Sequence, residues 1–229
     1  MCKSLFKLAA ISALFINITA DAGVVIGTTR YLYKENSREI SAQLENKDDA
    51  PYLMKSWVEA PEGKTPFFMV TPPLFRLEAK QKNTIRIFPT ANISSAPKDR
   101  ETVYYLNVMS VPPTDDSHLN SNTLQMAVRH RMRLIYRPAA VQELSINEQA
   151  KKVEWRKANN KIIVKNPTPF FFYFSSIKIN GQEIIKTLPN IDSMTTKEFT
   201  LPAGVTGSNI TWKIINDHGG DGSLYSSTL

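Results

Sequence analysis

The chain has 229 residues, of which 42% are hydrophobic, 10% aromatic and 21% charged, a balance that excludes a disordered, collagen-like or coiled-coil protein. Such a length is one large domain or two small ones, either able to bury a core without covalent staples. The single cysteine, Cys2, excludes an intramolecular disulfide and a thiolate metal cluster, and 28 basic against 21 acidic residues give a formal charge of +7, compatible with a basic contact surface.

At the start of the chain, Lys3 and Lys7 precede an apolar run over 8–18, and the small residues of Ala20-Asp21-Ala22 follow. This is the three-part layout of a secretory signal peptide, with cleavage expected after Ala22. The run is too short to span a bilayer and no later segment resembles a stop-transfer helix, so the product is expected to be exported and not membrane-embedded. Cleavage would remove Cys2 together with Lys3, Lys7 and Asp21, leaving 207 residues, no cysteine and a charge of +6.

From residue 23 onward the hydrophobic period is two. Ile40, Ala42 and Leu44 alternate with Glu39, Ser41 and Gln43; Ile85 and Ile87 flank Arg86; Tyr104, Leu106 and Val108 flank Tyr105 and Asn107. These read as half-buried strands. Turn clusters at 47–51 and 112–116 separate them at the spacing of an all-β sandwich or barrel, and no convincing amphipathic helix is found. A second series of strands is expected over 151–155, 161–165, 170–179, 197–201 and 210–215. Tyr136-Arg137-Pro138-Ala139-Ala140 lies between the two series and suggests a boundary near 140. The expected organisation is a leader over 1–22 and two domains over 23–140 and 141–229.

Catalytic patterns are weak. His118, His130 and His218 lack zinc-ligand spacing, and the pairs Asp48-Asp49 and Asp115-Asp116 sit in turn segments where solvated carboxylates are ordinary. The nine glycines form no phosphate-cradling loop. Lys and Arg are scattered instead of forming a run, which in an exported protein argues against nucleic acid. The residues therefore point away from an enzyme and toward neither cofactor nor metal.

One segment is unusual. Residues 124–136 alternate over 13 positions, about twice the ordinary strand, and would extend roughly 40 Å. One face carries Leu124, Met126, Val128, Met132 and Leu134, and the other Arg129, Arg131 and Arg133. One reading is a long sandwich strand with a solvated basic face. The other is an edge strand that adds to another chain's sheet, its apolar row filling a groove while an arginine holds a terminal carboxylate.

The ordered motifs resemble one family, the periplasmic chaperones of the chaperone/usher pilus-assembly pathway (PapD-like). They run Gly27-Thr28-Thr29-Arg30; Asn46 and Pro51-Tyr52-Leu53 with Ser56-Trp57; and Thr71-Pro72-Pro73-Leu74-Phe75-Arg76-Leu77. They continue with Asp99-Arg100-Glu101, Leu106-Asn107, Pro112-Pro113, the long strand, Tyr136-Arg137-Pro138-Ala139, Asn166-Pro167-Thr168-Pro169 and Ile215-Asn216-Asp217-His218-Gly219-Gly220. The resemblance covers essentially everything after the leader. It implies an all-β protein of two immunoglobulin-like sandwiches set like a boomerang.

The resemblance also implies roles. Arg30 and Arg133 match the two basic residues that bind the C-terminal carboxylate of a pilus subunit, the second of which is usually Lys in the family. Leu124, Met126 and Val128 match the donor residues that complete a subunit lacking its last strand. Glu101, Arg137 and Asp217 match an ion-pair network linking the domains, read as structural. The loop over 114–123 resembles the short-loop subclass that builds rod-like pili, although somewhat long for it. The expected protein is a non-enzymatic periplasmic chaperone that binds pilus or fimbrial subunits by donor-strand complementation and delivers them to an outer-membrane usher. It would need neither ATP nor metal and could self-associate when free of subunit. Two alternatives stay open: an exported immunoglobulin-like adhesin or pilus structural subunit, and a secreted enzyme on a sandwich scaffold.

Overall fold

The computed structural model describes residues 23–61, 65–114, 124–184 and 189–229. The leader over 1–22, His118 and all but the first residue of the loop over 114–123 lie outside them. The first sandwich comprises β1 (Val24–Ile26), β2 (Arg30–Lys34), β3 (Ile40–Asn46), β4 (Tyr52–Glu59), β5 (Phe68–Thr71), β6 (Leu74–Leu77), β7 (Lys82–Pro89), β8 (Thr102–Val111) and β9 (Val128–Arg137). One sheet has the order β1-β3-β7-β5 and the other β2-β9-β8-β4-β6.

Alternation sets the layers. Ala42 and Leu44 of β3, Met54 and Val58 of β4, Ile85 and Ile87 of β7 and Leu106 and Val108 of β8 turn into the core, while Ser41, Gln43, Lys55 and Arg86 turn out. An aromatic group caps this core, with Phe68 4.8 Å from Tyr33 and 5.2 Å from Tyr104 in edge-on contacts.

The second sandwich follows two short helices, α1 (Ala139–Gln142) and α2 (Ile146–Ala150), each little more than a turn and too short to show a helical period. Its sheets are β10-β11-β15 and β13-β12-β16-β17, where β10 is Glu154–Ala158, β11 Lys161–Asn166, β12 Phe172–Ile179, β13 Gln182–Glu183, β15 Thr195–Thr200, β16 Asn209–Ile215 and β17 Asp221–Thr228. A two-residue strand, β14 (Asn190–Ile191), also pairs with β12. Trp155, Phe174, Trp212 and Tyr225 form a chain of ring contacts through this core at 5.4–5.8 Å.

Three expectations are corrected. The long strand begins at Val128, not at 124, and Leu124–Ala127 precede the ladder. Residues 151–153 belong to the turn closing α2, where Lys152 N–H donates to Gln149 O, so that strand starts at Glu154. The final strand, β17, was not among those expected.

A buried asparagine organises a turn in each sandwich. Asn46 Nδ2 donates to the carbonyls of Ala50 and Glu78, at 2.8 and 2.9 Å, and its Oδ1 accepts from Asp48 N–H. Asn166 does the same for Phe170 O and Asp192 O, at 2.6 and 3.0 Å, and accepts from Thr168. Such side chains substitute for missing backbone partners where a strand ends inside the protein. The second of these turns delivers Phe171 to the junction of the sandwiches. There it packs with Val103 and Ile135 of the first sandwich, flanked by Leu32, Tyr105 and Tyr173.

Candidate functional site: a cleft ending on two arginines

The site is built on β9. Its C-terminal half, Arg133–Arg137, lies between β8 and β2, and β2 runs parallel to it with Arg30 opposite Arg133 and Lys34 opposite Arg137. Its N-terminal half, residues 128–132, pairs with β8 alone. Among the described residues nothing pairs with the other edge of that half. An open edge of this kind is a template for another strand.

The apolar row continues beyond that edge. Leu124, Met126 and Val128 are 85%, 69% and 51% exposed, whereas Met132 and Leu134 farther along the same face are buried in the core. Nothing within the described chain covers the first three.

Arg30 and Arg133 sit where the open edge stops and β2 begins. Arg30 is only 5% exposed. Its Nη1 donates to the carbonyls of Ile215 and Asn216, at 2.9 and 2.8 Å, which reach across from the second sandwich. Its Nη2 is buried with no partner among the described residues, an arrangement that costs free energy until an acceptor arrives. Burial, and after it the nearby Arg133 guanidinium, lowers the pKa of Arg30 despite the Asp217 and Glu101 carboxylates. The Arg133 guanidinium carbon lies over the Tyr173 ring of the second sandwich, 3.6 Å from its centre, a cation–π contact that a guanidinium makes well and an ammonium less so. The two side chains together form a cationic cleft end with a free donor, matched to a carboxylate.

The acceptor carbonyls are aimed by a glycine turn. Asn216 Oδ1 accepts from His218 N–H and Gly220 N–H, and Asn216 O accepts from Gly219 N–H. Gly219 has φ +86°, a conformation that side chains disfavour. This turn also places Asp217, whose two carboxylate oxygens accept from Arg137 Nη1 and Nη2 at 2.7 and 2.8 Å. Arg137 Nε donates to Glu101 at 2.6 Å, and the other Glu101 oxygen accepts from Phe171 N–H at 2.9 Å. The Arg137 guanidinium also lies over Phe170. Burial pushes the Glu101 carboxyl up, against the pull of Arg137 and the Phe171 amide.

The eight residues singled out from the sequence thus fall into three groups: Arg30 with Arg133, Glu101 with Arg137 and Asp217, and the exposed row Leu124, Met126 and Val128. Several contributors were not foreseen. Tyr173 beneath Arg133 and the Ile215 and Asn216 carbonyls belong to the second sandwich, and local pattern says nothing about how two sandwiches meet. On the outer face of β9, Arg129 and Arg131 are held by Trp57, Glu59, Tyr105 and Asn107. The outward positions of Trp57 and Tyr105 in alternating strands were the available signal. A crevice of about 500 Å³ between the sandwiches, lined in part by Arg100, Tyr105, Arg131 and Asp192, includes neither Arg30 nor Arg133.

Comparison with known proteins gives family matches over both sandwiches. The family model described as "Pili and flagellar-assembly chaperone, PapD N-terminal domain" matches residues 23–142, and "Pili assembly chaperone PapD, C-terminal domain" matches 148–226. The chain is 37% identical over 202 residues to the chaperone protein FimC of Escherichia coli O6:H1, covering 87% of this chain and 82% of that one. It is 35% identical over 234 residues to the probable fimbrial chaperone LpfB of Escherichia coli O157:H7, covering 100% and 98%. Among solved structures, a chain of the Salmonella enterica complex of SafA pilin with the SafB chaperone superposes with a TM-score of 0.82 at 30% identity, covering 91% of this chain and 97% of that one.

Proposed function

The chain belongs to the PapD-like family of pilus-assembly chaperones, and from that premise we propose that it captures an incomplete pilus or fimbrial subunit by lending it β9 as a strand. The observation that carries this is the unpartnered Nη2 of buried Arg30 at the point where the open edge of β9 ends.

A subunit strand added to residues 128–132 in the direction of β2 runs parallel to β9. Its last residue then arrives at Arg30 and Arg133, where Arg30 Nη2 and the stacked Arg133 guanidinium receive the terminal carboxylate. Backbone pairing along the edge supplies affinity, and Leu124, Met126 and Val128 fill the groove left by the missing strand. A sandwich lacking a strand exposes both an apolar groove and unpaired backbone groups, and one lent strand covers the two together. Met126 adapts to grooves of different shape. Binding and release in the periplasm, without catalysis, cofactor or metal, followed by transfer to an outer-membrane usher, completes the reading. Glu101, Arg137 and Asp217 serve it structurally by holding the second sandwich, and with it the Ile215 and Asn216 carbonyls, against Arg30. That division of labour takes residues 23–140 and 141–229 as the two domains.

The test is affinity purification of the tagged protein from a periplasmic extract of cells that co-express a pilin. The pilin should co-purify with the wild type and be lost with Arg30→Ala. Equal retention by both proteins would remove the anchor from the proposal, and failure of any pilin to co-purify with the wild type would remove the proposal itself.

A further inference from the structure

Backbone and side chain of the same residues point to different places at the open end of β9. Arg133 N–H donates to Thr29 O on the β2 side. Backbone groups alternate along a strand, so the N–H and C=O of Arg129 and Arg131 also point to that side, off the open edge, and those of Val128, His130 and Met132 point to β8. The main-chain groups available to an incoming strand therefore belong to the two residues whose side chains are fastened across the outer face of the sheet.

Arg129 is fastened most firmly. Its Nε donates to Asn107 Oδ1 at 2.9 Å, its Nη2 donates to both Glu59 oxygens at 3.0 and 3.1 Å, and its guanidinium lies 5.4 Å from the Trp57 ring centre. Glu59 also accepts from the Trp57 indole N–H at 3.0 Å and lies 3.5 Å from Arg131 Nε. Arg131 stacks on Tyr105 at 3.5 Å. Asn107 is fully buried beneath this group and donates to Tyr105 O at 3.1 Å. The contacts tie β9 to β8 and across it to β4, and they act one residue beyond the point where the β9 ladder begins. A strand end with a neighbour on one side only is where a sheet opens first.

We infer that Arg129, held by Glu59, Asn107 and Trp57, is a positioning residue that keeps the open half of β9 ordered and in register before a partner strand arrives. The inference rests on the strand-capture reading. Arg129 reaches the incoming strand through its main chain, and its side chain acts by sparing the complex the cost of ordering that segment at the moment of binding.

Hydrogen exchange and peptide binding on the full-length exported protein test it, the probe being a short synthetic peptide of alternating Val and Thr with a free C-terminal carboxylate. In Arg129→Ala, the His130 and Met132 amides, which face β8, should exchange about tenfold faster while those of Leu134 and Tyr136 stay unchanged. Peptide Kd should rise about fivefold or more, with the larger part in the association rate. Glu59→Gln, which leaves the core untouched, should move both readouts in the same direction by less. Arg129→Lys keeps the charge and lacks the planar fork, so it should behave like Arg129→Ala. Wild-type exchange at His130 and Met132 in Arg129→Ala, faster exchange with unchanged peptide binding, or full rescue by Arg129→Lys would each overturn the assignment. Loss of peptide binding in Arg30→Ala alongside normal binding in Arg129→Ala would remove the positioning role alone. Normal binding in Arg30→Ala would instead count against the carboxylate anchor.

Discussion

Arg30 and Arg137 grip consecutive residues of one turn: Arg30 holds the carbonyls of Ile215 and Asn216, and Arg137 holds the carboxylate of Asp217. Both arginines come from the first sandwich and the turn from the second. The contact that ties the two sandwiches and the contact that orients the proposed anchor are therefore neighbours within the same three residues, 215–217.

Removing Arg137 should accordingly damage more than stability. Arg137→Ala leaves Glu101 buried without its cation, which should cost about 3–5 kcal/mol in denaturant unfolding. Arg137→Met, which restores packing on Phe170 without a charge, should cost much the same as long as Glu101 stays, and Arg137→Met with Glu101→Gln should recover a good part of it. A loss below about 1 kcal/mol in Arg137→Ala would show that the pair is relaxed in solution.

Arg30→Ala should leave a folded protein whose capture of a carboxylate-ended strand is weakened by about 2–5 kcal/mol, roughly 30-fold or more in Kd. Calorimetric titration with a peptide and with its C-terminal amide separates the contributions. The wild type should prefer the free carboxylate, and Arg30→Ala should largely lose that preference. Equal preference in both proteins would show that the carboxylate is held elsewhere.

Met126→Glu should be nearly silent in the free protein, because Met126 is exposed, and severe in capture, because an unpaired carboxylate would enter an apolar groove. Thermal unfolding should coincide with the wild type while pilin co-purification disappears. Retained co-purification would take Met126 out of the donor row.

The Glu35 carboxylate offers a pH-dependent test of how the linker is held. It accepts from the Ala139 N–H that opens α1 at 2.7 Å and from Lys98 Nζ at 2.6 Å. The Ala139 amide first, and Lys98 after it, hold its pKa below the ordinary carboxylate range. A depressed carboxyl stabilises the fold above its unfolded pKa, and that contribution is lost as pH falls through the folded value. The stability gap between wild type and Glu35→Gln should be constant at neutral pH and should close as pH drops below about 4. A gap still open at roughly pH 2 would show that the ionised carboxylate is not what matters there.

How much could be read in advance differs from strand to strand for physical reasons. β3 and β7 were legible because one face is buried and the other wet, so Ala42, Leu44, Ile85 and Ile87 alternate cleanly with polar residues. β17 was not, because Tyr225 is its only buried side chain. The segment 124–136 read as a single strand because alternation reports that a face is apolar and not what covers it; Leu124 and Met126 continue the row without any partner among the described residues. Arg30 and Arg133 were singled out through the family resemblance. Nothing local connects two arginines so far apart in the chain, and the parallel register that sets them side by side is a property of the assembled sheet. Tyr173 escaped notice for the same reason.

The edge of β9 is divided, half free and half taken by β2. A segment from the middle of another chain laid along the free half in the direction of β2 would have to leave the sheet before Arg133 or collide with Arg30, while a segment that stops there meets no obstacle. If β9 captures a strand as proposed, a groove of this shape would sort polypeptides by whether they have ended, rejecting continuous chain by sterics and rewarding a terminus by charge, whatever residues the strand itself contains.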